Sequence, residues 1–117
     1  MRTLAVLAML AGLLSAGVSA ETVTFARDGE PAVTIVVEAN AHDLVSGAAR
    51  DLQHYVKALC GVEMPLRIDG AAVEGNAVYI GACEGTPAKA HPPAKANPET
   101  YAIHASNGNL FLAGNHP

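Results

Sequence analysis

The chain has 117 residues, seven lysines and arginines against eleven aspartates and glutamates, a net charge of −4 and no tryptophan. That length holds one small domain. A mildly acidic surface without a Lys/Arg cluster argues against nucleic acid or anionic lipid as a partner.

Residues 1–20 read as a secretory signal peptide rather than as part of the fold. Met1-Arg2 gives a positive start, Leu4 to Leu14 is an unbroken apolar run, and Val18-Ser19-Ala20 is a small-residue cleavage site before Glu21. The run falls short of the roughly 20 apolar residues of a membrane span, and an uncleaved anchor is the competing reading. No cysteine follows the run, so a lipoprotein anchor is not expected. The expectation is a secreted or periplasmic protein with no membrane attachment after cleavage. Its mature part, 21–117, has 97 residues and, without Arg2, a net charge of −5.

From Glu21 onward Val23 and Phe25 alternate with threonines, and Asp28-Gly29 is turn chemistry. Pro31 opens a second strand, "AVTIVVEA", with Val33, Ile35 and Val37 on one face. Val36 adds apolar weight to the other face, so partial cover on both sides is expected. The period then changes. Leu44, Ala48, Leu52, Tyr55, Val56 and Leu59 recur every three or four positions, which predicts one amphipathic helix over about 43–60. Asp43 caps or charges its start, Lys57 suits its last turn, and Gly61 ends it. Gly47 costs this helix about 1 kcal/mol relative to Ala, and a close approach to the sheet is one reason to keep it.

Two short strands follow, in "MPLRID" and "NAVYIGA". Residues 85–98 hold four of the seven prolines and no large apolar side chain, which predicts a surface loop outside the core and a local insertion. The last segment has the clearest geometry. Asn107-Gly108 is the preferred pair for a two-residue type I′ turn. Counting outward pairs Ser106 with Asn109, Ala105 with Leu110, His104 with Phe111 and Ile103 with Leu112, which puts Ile103, Ala105, Leu110 and Leu112 on one face. The predicted order is β-β-α-β-β-β-β, an α+β fold with one helix packed on a mostly antiparallel sheet.

The residues point to no reaction. Glu38, Asp43 and Asp51 lie at element ends and Glu74, Glu84 and Glu99 in loops, where solvated surface acids are the ordinary reading. His42, His54, His91, His104 and His116 lack metal-ligand spacing, and no phosphate loop is present. Ser46, Asp51 and His54 can be drawn as a triad, but no nucleophile elbow accompanies them. Tyr55, Tyr79 and Tyr101 are expected in the core rather than on a sugar-stacking platform. No catalytic residue, cofactor or metal site is therefore assigned. Cys60 and Cys83 leave two readings open: two free buried thiols, or one disulfide contributing roughly 3 kcal/mol. A C-x-x-C motif is absent.

Three segments, "SGAARDLQHYVKALCGVEMPL" (46–66), "NAVYIGA" (76–82) and "ETYAIHASNGNLFLAGN" (99–115), resemble the N-terminal domain of the family-67 glycoside hydrolase alpha-glucuronidases. That accessory domain, of the hexosaminidase domain-2-like kind, precedes the catalytic barrel of several secreted carbohydrate-active enzymes. The positions that match are Ala48, Ala49, Leu52, Tyr55 and Gly61 on and after the helix, and Tyr79, Ile80 and Gly81 on the next strand. Glu99, Tyr101, Ile103, Asn107, Gly108, Leu110, Leu112 and Gly114 match the hairpin. They are mainly packing and turn positions, spread over most of the mature chain.

The resemblance implies a second helix and the barrel after the hairpin, so that this chain is truncated before both and leaves part of its sheet bare. It carries no active-site residue onto this chain, because the family's catalytic carboxylates belong to the barrel. The partner it implies is the barrel of the same polypeptide, and the parent's substrate a polysaccharide such as xylan. A self-standing small secreted binding module or inhibitor is the alternative.

Overall fold

The computed structural model describes residues 21–92 and 99–114. The proposed signal peptide, the 93–98 part of the proline-rich segment, and His116 lie outside them. A small hairpin comes first, β1 (Ala26–Arg27) and β2 (Glu30–Pro31). Its turn is Asp28-Gly29, with both residues at positive φ, 54° and 77°. The main sheet has five strands: β3 (Thr34–Val37), β4 (Leu66–Arg67), β5 (Ala77–Ile80), β6 (Tyr101–Ser106) and β7 (Asn109–Gly114). Their order is β4-β3-β5-β7-β6. One helix, α1 (Asp43–Cys60), connects β3 to β4.

The fold is α+β, with one helix on a five-stranded sheet, but the sheet is not mostly antiparallel. β3 pairs in parallel with both β4 and β5, β5 pairs in parallel with β7, and only β6 runs against its neighbour. The reason lies in the connections. An 18-residue helix carries the chain back about 27 Å at 1.5 Å per residue, so β4 starts at the same end as β3. Residues 68–76 return the chain across the opposite face, where Val73 packs and donates its N–H to the Tyr79 hydroxyl at 3.3 Å. The C-terminal hairpin has the expected register, Ser106 to Asn109 out to Ile103 with Leu112.

α1 occupies the predicted span. Its N-cap is His42, not Asp43: the imidazole Nδ1 accepts from the Leu44 N–H at 3.1 Å. Asp43 contributes its charge to the first turn, Lys57 sits in the last, and Gly61 ends the helix at φ 76°. Gly47 makes no close approach, since a Cβ there would meet nothing within 4 Å.

Each face of the sheet carries a core cluster. Val33, Ile35, Val37 and Val78 pack with Ala49, Val56 and Met64 on the helix side. Val36, Ala77, Tyr79, Cys83, Ala90 and Phe111 form a second cluster on the other. Residues 85–92 are therefore partly a core element. Their 3-10 turn, Ala88–Ala90, buries Ala90 completely against this second face. Small side chains hide the role: alanine fills a shallow site under Tyr79 and Phe111, whose rings stack at 5.4 Å. Tyr79 is buried as expected, whereas Tyr55 and Tyr101 are 64% and 72% exposed.

Candidate binding cleft

Chain connectivity opens a cleft at the C-terminal ends of the parallel strands. After β3 the chain leaves toward the helix side, and after β5 it leaves toward the opposite side, so the two strand ends part. Crevices of this origin are where α/β sheets take ligands. The cleft has a volume of about 950 Å³. Its floor is Ile80, Leu112 and Ile103, its wall is Leu44, Val45, Ala48 and Leu52 of α1, and Glu38, Asn40, His42 and His91 stand at the rim.

Glu38 is the carboxylate that lines the cleft. It follows β3, is half-buried, and its Oε2 accepts from the Ala82 N–H at 2.9 Å. Its own N–H donates to the Ile80 carbonyl at 3.0 Å, and Gly81 N–H donates to the Leu112 carbonyl at 2.8 Å. Gly81 permits this crossing: at φ 84° any other residue is strained, and a Cβ would lie 2.5 Å from the Glu38 carboxyl carbon. Nothing in the sequence distinguishes Glu38 from the solvated acids, because Gly81 is brought to it only by the β3–β5 pairing.

The other carboxylates do not line the cleft. Asp43, Asp51, Glu74, Glu84 and Glu99 are exposed. Ser46 and His54 lie eight positions apart on α1, about 12 Å along the axis, so the Ser46–Asp51–His54 combination does not assemble. His54 instead packs edge-on against Tyr55 at 5.5 Å. His104 stacks on Phe111 on the far face, and its buried Nε2 has no hydrogen-bond partner among the described residues. No group of three His, Cys, Asp or Glu able to hold a metal occurs among the described residues. None of the described helices is long and apolar enough to cross a membrane.

Both thiols are free. Cys60 is exposed at the end of α1, beside a smaller apolar groove formed by Phe25, Leu52, Tyr55 and Leu59. Cys83 is buried on the opposite side of the sheet, its Sγ directed at the carbonyls of Ile80 (3.5 Å) and Val36 (3.6 Å). Burial, with a smaller contribution from the Glu38 carboxylate, pushes its thiol up to about 11.

The cleft combines an apolar lining with a polar rim. Its apolar surface is broad, and its one fixed carboxylate already serves a backbone N–H. No family model matches the chain, and no curated protein is significantly similar to it.

Proposed function

We propose that this chain is a non-catalytic N-terminal accessory domain of a secreted glycoside hydrolase, alpha-glucuronidase-like and acting in the breakdown of xylan or a related polysaccharide. In this reading the cleft is a seat for a helix of the same polypeptide, and the domain packs against the catalytic barrel. The observation that carries it is the bare helix-side surface over β7 and β6, where Ile103 remains 66% exposed, together with Leu44 of α1, 73% exposed. Five strands span about 19 Å at ~4.8 Å spacing. Packed helices lie 8–10 Å apart, so α1 alone covers about half of that width. A second helix beside α1 would cover Ile103, Leu112 and Leu44 together.

The test starts from the gene. Continuation of the reading frame past Pro117 into a helix-forming segment and a barrel-length region is the expected result, with glucuronic acid release from xylan oligosaccharides by the whole protein. Residues 21–117 alone should release none. A stop codon directly after Pro117, or turnover by the isolated domain, overturns the proposal. The second reading, a self-standing secreted binding module, is favoured by the polar rim of Glu38, His42 and His91 at the strand ends. It requires that stop codon and a cooperative unfolding transition for residues 21–117.

A further inference from the structure

The C-terminal hairpin turns through Asn107 and Gly108, at φ 54° and 81°. Two positive values in a two-residue turn mark type I′. The fold restricts both positions. Asparagine tolerates the left-handed region at the first. At the second, a Cβ would lie 2.7 Å from Nδ2 of Asn76, so glycine is required. Asn107 stands exposed at the tip.

This pair has a chemistry of its own. An asparagine amide is open to attack by the main-chain nitrogen of the next residue, and glycine leaves that nitrogen unscreened. Asparagine is among the thermolabile residues. The structure sets Asn107 apart from the other asparagines it describes. Ladder pairing begins at Ser106 and Asn109, so the peptide between Asn107 and Gly108 belongs to no ladder pair. A flip of that peptide turns type I′ into type II′, the other two-residue hairpin turn, and keeps the Ser106–Asn109 pair. The flip also swings the Gly108 nitrogen toward the Asn107 side chain. Asn76 has no such freedom, because the N–H of Ala77 already donates to Asn109 Oδ1 at 2.9 Å. Asn109 is held by the same bond and precedes the bulky Leu110 within β7. Asn40 precedes Ala41, whose methyl group crowds its nitrogen.

We infer that Asn107 is a site of spontaneous modification, converted in the folded protein to isoaspartate and aspartate. The Gly108 nitrogen gives its proton to base and attacks Asn107 Cγ. The Cγ–Nδ2 bond breaks, ammonia leaves, and a five-membered succinimide closes. Water then opens the ring. Addition at Cγ gives aspartate, and addition at the main-chain carbonyl gives isoaspartate, with the chain rerouted through the side chain. In sum, water is taken up and ammonia released, with no change of oxidation state. Isoaspartate lengthens the main chain of the turn by one carbon, and that turn sets the register of every β6–β7 pair from Ser106–Asn109 to Tyr101–Gly114. Among the described residues β6 pairs with β7 alone, so β6 is the strand that isoaspartate releases. Aspartate spares the geometry, since Asp-Gly suits the same turn. The reaction concerns the hairpin alone and proceeds whether or not the domain serves a glycoside hydrolase.

Ageing the purified protein at mildly alkaline pH, folded and in urea, with peptide mapping by mass spectrometry, tests the site. The expected result in the folded protein is an amide-to-acid mass change at Asn107, absent at Asn40, Asn76 and Asn109, and faster as pH rises. The separated isoaspartate form should unfold at a lower urea concentration than the fresh protein, whereas Asn107→Asp should unfold close to it. Asn107→Gly keeps a pair that suits the turn and should abolish both the mass change and the loss of stability on ageing. A folded protein whose Asn107 stays an amide while the urea-unfolded chain converts overturns the inference. So does equal conversion at Asn40, or an isoaspartate form with the urea midpoint of the fresh protein.

Discussion

Cys60 and Cys83 show how differently one residue type is used in one small domain. Cys60 is open to solvent, while Cys83 is enclosed by the second core cluster. Alkylation of the native protein should modify Cys60 alone, and Cys83 only after denaturation, as read by intact mass. Cys83 also gives stability a pH dependence with a definite sign. The folded thiol keeps its proton up to about 11, against 9.0 as the ordinary value. Between these limits the folded state holds more protons than the unfolded one, so the contribution is complete below 9.0 and falls as pH rises through the window. Denaturant midpoints measured across it should decline less in Cys83→Ala than in the parent chain. Neither thiol's environment was legible in the sequence, since Cys83 is enclosed by Val36 and Ala90, which lie far from it or have little bulk. Glu38 was overlooked for the same reason.

At the scale of elements, local chemistry determined most of what formed. The helix span follows from its apolar period, and the hairpin register follows from Asn107-Gly108. Gly47 is the helix's remaining weakness. With open space around it, Gly47→Ala should stabilise the domain by about 1 kcal/mol, measured by thermal or urea unfolding. The hairpin is tied to β5 by a bond that local rules do not foresee: Asn109 Oδ1 accepts from the Ala77 N–H at 2.9 Å. Asn109→Ala leaves that donor without its partner at a fully buried residue and should cost about 1–3 kcal/mol. Asn109→Asp keeps an acceptor and should recover most of the loss. Residues 85–92 of the proline-rich segment were misread because alanine, which packs under Tyr79 and Phe111, carries no visible apolar signal.

For the molecule as a whole, strand direction was the main feature that pattern reading missed. Alternation marks which side chains are buried, and it is the same in parallel and antiparallel pairs. Direction is set by the connections, here a long helix and a return across the far face. The cleft follows from those connections too, so neither could be read from any single segment. The topology makes the C-terminal hairpin indispensable: β7 lies between β5 and β6, and Phe111 completes the ring stack with Tyr79. A chain ending at Thr100 should therefore show no cooperative unfolding transition by circular dichroism. The interior place of β7 also has a consequence for how the protein is made. A nascent chain acquires the second partner of β5 only when its final described strand emerges, so the earlier strands must wait with an apolar edge open. Whatever handles the polypeptide in that interval meets a chain that cannot yet close.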